Sequence, residues 1–365
     1  MTQHLSRRLE HTTAHPSTGT TAPAFAAALC ALSLSVSHSA SAAEINVYSA
    51  RHYPSDAALY AGFTEKTGIK INRVDSDDAG ILARLKAEGK NSKADAILLV
   101  DATRLWRADQ DGLFAPVQSE ALNAAIPAQF RSNPSGASTW FGFSSRARIV
   151  VFDKAQFKAS DFDDYAKLAS PAAKGKLCIR SGSHPYNLSL FSSLMQRWGE
   201  AKTEAWLAGL VSNMARAPKG GDTDQIKGVA SGECGVAVTN SYYLARLMRS
   251  SDPAQRAIAD KVGVVFPNAQ SWGTHVNIAG GAVAKHSARA ADAVRFLEYL
   301  ATAQAQQHFA DGNNEWPLAQ SANTVPNDAL KAMVPGGLKA DPLPIRDIGQ
   351  NVPAIQRMLD RVGFQ

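Results

Sequence analysis

"ECGVAVTNSYYLARL", Glu233–Leu247, is the stretch whose reading decides the fold. The apolar run Val236–Val238 reads as a buried strand and Thr239-Asn240-Ser241 as a polar step. A helix follows from Tyr242 onward. A strand that runs straight into a helix is half of an α/β unit, so the fold class follows if other segments repeat the pattern. One feature of the corner is unusual. Tyr242 and Tyr243 stand side by side where packing alone would favour Phe or Leu, so two phenol oxygens need a reason.

Working outward, the pattern does repeat. "INVYSA" (45–50), "IKINRVD" (69–75) and "ADAILLV" (94–100) read as strands. Helices over "PSDAALYAGFTEKTG", with Ser55 as N-cap, "DAGILARLKAEG" and "TRLWRADQDGLF" follow them in turn. That order predicts a parallel sheet covered on both faces. A second set holds strands at 146–153, 177–182, 234–240, 261–267 and 275–285. Helices are expected at 186–201, 222–233 and 242–250, with one long helix over "ARAADAVRFLEYLATAQAQQHFADG". The chain's 365 residues exceed one compact core. We therefore expect an α/β, two-lobed binding-protein fold (type II), with lobes joined by crossing strands near 142–148 and 268–276. One lobe takes 43–143 and 275–318, and the other 144–274 and 319–365. Ligands of such sheets sit outside the carboxyl ends of the strands, in the cleft.

Composition narrows the function classes. The chain is 45% apolar and 19% charged, with a formal charge of +6. It has no dense Lys/Arg run, so no nucleic-acid partner is expected. Arg7 and Arg8, the apolar run Ala22–Val36 and the small-residue site Ala40-Ser41-Ala42 read as an export signal over 1–42, cleaved near Ala42. The apolar run is short of the roughly 20 residues a span needs. The twin arginines leave Sec and Tat routes both open. Leu29 before Cys30 argues against a lipid anchor. Cys178 and Cys234 then remain as an even pair, which in an exported chain suggests a disulfide, with two separate buried thiols as the alternative.

The strand ends carry the chemistry. After the first comes Arg51-His52-Tyr53, after 177–182 come His184 and Tyr186, and after 234–240 come Tyr242 and Tyr243. Half of the chain's eight tyrosines stand at these corners. A lone tyrosine there is ordinarily a half-buried ring with its hydroxyl on backbone or water. Several phenols with an imidazole instead suit a hard, highly charged cation. Phenol, with an ordinary pKa of about 10, ionises only when such a cation is close. Four phenolates around Fe3+ leave one net negative charge, which Arg51 and Arg180 stand near enough to offset. Asn240 or Ser241 is expected to cap the helix that follows. A Cys178–Cys234 bridge would brace the strands presenting three of the four phenols.

On these residues the chain resembles the periplasmic ferric-iron-binding proteins of bacterial ABC importers, particularly the Fut type with several tyrosines. The similar segments include "VYSARHYPSD", "WFGFSSRARIVVFD", "GKLCIRSGSHPYNLSL", "GGDTDQIKGVASGECGVAVTNSYYLARL" and "WGTHVNIAGGAVAKHS", and the likeness covers essentially all of 44–365. The resemblance implies a fold that closes over one iron. Its ligands would be Tyr53, Tyr186, Tyr242 and Tyr243, with His52 as the fifth. It implies delivery to an inner-membrane permease by a monomeric carrier, and leaves Fe2+ open as a second cargo. Some relatives add a carboxylate and a synergistic anion such as carbonate. Here no Asp or Glu follows Tyr53 before Asp56, so an anion is less required, and Arg51 or Arg180 would hold it. Glycine-rich phosphate loops, G-x-S-x-G and H-E-x-x-H are missing from the sequence, so no enzyme is expected. A same-fold protein for an organic or anionic solute is the alternative. A secreted metal-dependent hydrolase or transferase stands behind it.

Overall fold

Residues 43–51, 53–320 and 323–365 are described by the computed structural model. The export signal expected over 1–42, and His52, lie outside the described residues.

Ten strands form one continuous hydrogen-bonded system: β1 (Glu44–Ser49), β2 (Lys70–Asp75), β3 (Ala96–Leu99), β4 (Phe114–Ala115), β5 (Phe141–Asp153), β6 (Leu177–Cys178), β7 (Val236–Asn240), β8 (Val262–Val265), β9 (Val276–Ala284) and β10 (Trp316–Pro317). The order is β2-β1-β3-β9-β5-β7-β6, with β4 on β9, and β8 and β10 on β5. β1 lies parallel to β2 and to β3, and β6 lies parallel to β7, each pair joined through helices as the α/β reading requires. The middle differs from the all-parallel expectation, because β9 runs antiparallel to both β3 and β5. Antiparallel pairing there follows from the long returns: β5 and β9 are not linked by a single crossover helix.

The 13-residue β5 is the crossing strand. Its first half pairs with β9, Phe141↔Gly281 through Ala147↔Val276. Its second half pairs with β7 and β8, Arg148↔Asn240 through Asp153↔Val262. The return passage over 266–275 is turns, tied to β5 by the His275 carbonyl, which accepts from Arg148 N at 2.9 Å. Gly280 on β9 lets the strands approach, since a Cβ there would stand 2.9 Å from the Phe141 carbonyl oxygen.

Two apolar clusters pack on the strands; the larger runs past the crossing to Val151, Ile226, Ala237 and Leu244, and the smaller takes the alternate residues of β5 and β7. Ile45, Val47, Ile97, Leu99, Phe296 and Leu297 close one, and Val150, Val236, Val238, Phe191, Leu194 and Trp206 close the other. Among the described residues no helix is long and apolar enough to cross a membrane.

Several sequence expectations need correction. The strand expected over 177–182 ends at Cys178, because the carbonyls of Arg180 and Ser181 accept from Asn187 Nδ2, both at 2.9 Å, instead of from a neighbouring strand. The helix expected over 186–201 spans Pro185–Trp198 and stops at Gly199, whose φ of 79° breaks it before a separate helix, Glu200–Asn213. The long C-terminal helix is two, Ala290–Leu300 and Ala303–Asn313, with Thr302 capping the second. Ser55 caps nothing; its hydroxyl donates to the Gly312 carbonyl at 3.2 Å.

Candidate metal centre

Three corners deliver four phenols to one place. Tyr53 follows β1, immediately ahead of the helix Asp56–Thr67. Tyr186 is in the first turn of Pro185–Trp198, a helix started by Pro185 at N1, with His184 Nδ1 accepting from Tyr186 N at 3.2 Å. Tyr242 and Tyr243 open the helix Ser241–Met248 directly after β7. Tyr186 Oη and Tyr242 Oη are 3.2 Å apart. The Tyr53 and Tyr242 rings meet edge to face at 5.9 Å, and Tyr242 and Tyr243 stack at 4.1 Å. Stacking brings neighbours on a helix to the same side, although their Cα positions are about 100° apart around the axis. Tyr53, Tyr186 and Tyr242 are buried and Tyr243 is half-buried. A cavity of about 560 Å³ opens beside Tyr53 and Tyr186, with Arg51, Asp75, Asp77 and Asp78 in its wall.

Burial, together with the other phenols, pushes Tyr242 well above its ordinary pKa, and burial with Glu315 does the same to Tyr53. Burial also raises Tyr186. These phenols therefore stay neutral unless a multiply charged cation enters among them. Among the described residues no group of three or more His, Cys, Asp or Glu could hold a metal ion.

The neighbouring charges are arranged in two buried knots. Arg51 is 4% exposed. It forks onto Asp56, at 2.6 and 3.2 Å, and donates to Asn313 Oδ1 at 3.0 Å. Arg146 Nη1 reaches Glu315 Oε1 at 2.9 Å, and the Tyr53 hydroxyl donates to the same oxygen at 2.8 Å. In the second knot Arg148 donates to Asp222 at 2.6 Å and to Asn187 at 2.7 Å. Arg180 joins at 3.3 Å from Asp222, its guanidinium 5.2 Å from the Tyr186 ring centre. Burial and the nearby arginines, Arg180 first, lower the pKa of His184 to about 3, so its ring is a neutral acceptor.

The sequence placed Tyr53, Tyr186, Tyr242 and Tyr243 at separate corners, and the fold brings them together. Asn240 occupies the N-cap position yet does not cap with its side chain; its Oδ1 accepts from Arg148 at 3.2 Å, and its backbone N donates to Asp222 at 2.6 Å. Ser241 is not the cap either, since its hydroxyl accepts from Ala147 N. Cys178 and Cys234 form a disulfide, with Cα atoms 5.8 Å apart and a sequence separation of 56. Sequence reading missed Arg146 and Glu315. Arg146 sits in an apolar strand pattern, where an inward-facing arginine is itself a signal of a buried carboxylate partner. Glu315 follows a helix end and carries no local pattern.

A family model for the bacterial extracellular solute-binding proteins matches residues 58–334. Iron uptake protein A1 of Synechocystis is 44% identical over 322 residues, covering 88% of each chain. A Trichodesmium protein solved in complex with iron and citrate ligands superposes with a TM-score of 0.83 at 45% identity, over 88% of this chain and 100% of that one. An Fe(3+)-binding periplasmic protein of Serratia marcescens is 27% identical, over 83% of this chain and 88% of its own. With its two-part α/β architecture and phenol-lined cleft, the chain belongs to the bacterial extracellular solute-binding proteins.

Proposed function

We propose that this chain is a periplasmic carrier that takes up Fe3+ between its two lobes and passes it to an ABC-type permease in the inner membrane. Tyr53, Tyr186, Tyr242 and Tyr243 are the ligands, and His52 is the fifth. The observation that carries the reading is the meeting of four phenols from three corners, with Tyr186 and Tyr242 oxygens 3.2 Å apart. Buried phenols that raise one another's pKa are a poor apolar lining and a good trap for a tripositive ion, which repays their ionisation. The names of the Synechocystis and Serratia relatives, iron uptake and periplasmic Fe(3+) binding, support the cargo and the compartment.

The lobes divide as 43–143 with 275–318 and 144–274 with 319–365, and closure completes the metal's shell. One chain supplies every ligand, so the carrier works as a monomer. Fe3+ fits better than Fe2+, which would leave four phenolates with two uncompensated negative charges in a buried site. Arg180 is the side chain for a synergistic anion such as carbonate, because Arg51 is already committed to Asp56 and Asn313.

Titration of the metal-stripped mature protein with ferric nitrilotriacetate tests this reading. The expected result is a red-orange tyrosinate-to-iron band that saturates at one equivalent. In Tyr243→Phe the band shifts and binding weakens with the fold intact. Absence of a band at any iron level would move the cleft to an organic or anionic solute.

A further inference from the structure

Tyr186 and Tyr242 share a hydrogen bond with each other, whereas the Tyr53 hydroxyl donates to a carboxylate, Glu315, at 2.8 Å. Glu315 is 0% exposed and closely held. Oε1 accepts from Tyr53 and from Arg146 Nη1 at 2.9 Å, Oε2 accepts from the Ser144 hydroxyl, and Arg51 Nη1 stands 3.6 Å away. Its carboxylate is paired with two guanidiniums, Arg146 and Arg51. An oxygen whose proton points at Glu315 is not a phenolate. The same Tyr53 oxygen therefore has two exclusive uses, as donor to Glu315 or as ligand to a cation.

We propose that Glu315 is a positioning residue that competes with iron for Tyr53 and gives that phenol a place to go when iron leaves. The inference rests on the iron reading above. Capture breaks the Tyr53–Glu315 hydrogen bond and sends one phenol proton to solvent; release returns a proton to the Tyr53 oxygen and re-forms the bond. Glu315 gives up only the Tyr53 hydrogen bond in the exchange and keeps Arg146 and Ser144. Four phenolates on Fe3+ carry one net negative charge, so the complex repels a neighbouring carboxylate and Glu315 favours the released state. Arg146 and Arg51 keep either state charge-paired. Arg51 lies 5.1 Å from the Tyr53 ring centre. The arrangement meets a need of any carrier built on several phenolates, which otherwise holds its cargo too firmly to deliver.

The experiment measures the rate at which the ferric protein, loaded from ferric nitrilotriacetate, loses its tyrosinate band to excess EDTA. Glu315→Gln replaces the competing anion with an amide able to donate to the phenolate, and is expected to slow release about tenfold. Glu315→Asp keeps the charge while drawing the carboxylate back by one methylene from Tyr53, as from Arg146, and guards against a misfolded Gln variant. It is also expected to slow release several-fold. In a Tyr53→Phe background neither change should alter the rate. Wild-type or faster release in Glu315→Asp, or an equal effect of either change with and without the Tyr53 hydroxyl, overturns the proposal. If Tyr53→Phe itself leaves the band and the affinity unchanged, Tyr53 is not a ligand and the iron reading of this corner fails instead.

Discussion

Behind Tyr242 and Tyr243 stands a rigid frame. β6 and β7 lie side by side, the Cys178–Cys234 disulfide links the end of β6 to the approach to β7, and Arg148 and Asp222 tie β5 to the Asn240 backbone and Asn187. Tyr53 has no covalent brace. Its support is a cluster of polar side chains drawn from distant segments: Arg51, Asp56, Asn313 and Glu315, with Arg146 from β5. Both regions bury an arginine from the same face of β5 against a fully buried carboxylate. Asp222 spends its oxygens on backbone and guanidinium, while Glu315 spends one on a phenol. The first arrangement fixes a scaffold. The second sets the state of a ligand.

Loss of support should therefore appear as lost stability on the Tyr242 side and as altered iron handling on the Tyr53 side. The largest effect is expected from Cys178→Ser with Cys234→Ser, which frees the loop between these positions, a sequence separation of 56, and costs about 4 kcal/mol in the chain-entropy model. Urea unfolding reads it, and a loss below 1 kcal/mol would mean the strands need no brace. Asp222→Ala leaves Arg148 buried without its partner and should cost about 3 kcal/mol. If that variant keeps its stability and loses iron instead, the contrast between the two knots is wrong. Arg51→Lys removes a planar fork that a lysine cannot reproduce. Iron affinity should fall about tenfold to a hundredfold by analogy with other side chains that orient metal ligands, with a smaller change in unfolding midpoint.

The smallest effect concerns pH. Burial, helped by Asp101 and opposed by the Val100 N–H, pushes Asp78 in the cavity wall beside Tyr53 up to about 6. A carboxyl raised in the folded state favours folding when protonated. Its contribution is present below the ordinary carboxylate range and is lost as pH rises through about 6. Asp78→Asn should therefore stabilise by about 1–2 kcal/mol at pH 7.5, with the difference gone by about pH 4. An equal effect at both pH values would show that packing, not charge, is responsible.

The sequence exposed those parts of the molecule whose cause is local. Val236–Val238, Ile97–Leu99 and Ile45–Val47 announce buried strands by their own runs, and a tyrosine at each strand end is visible before any fold is known. What remained hidden depends on distant partners. β6 ends at Cys178 because Asn187 takes the next carbonyls, and nothing in 177–182 foretells that. β9 becomes antiparallel to β3 through a return from the other half of the chain. Asn240 reads as a cap until Arg148 claims its oxygen. Glu315 meets Tyr53 from 262 positions away, so its role is a property of the fold alone.

The placement of β9 also sets a schedule for assembly. β3 has β1 on one side and β9 on the other, so the first half-sheet keeps an open edge until residues near Gly281 have been made and delivered. A chain that has passed β3 but not yet β9 carries the apolar β3 with one edge unpaired, and closing so long a loop is slow. This order of events makes the last quarter of the chain the part that completes the first half-sheet. A truncated product ending before β9 would be a substrate for chaperones and proteases instead of a half-working carrier.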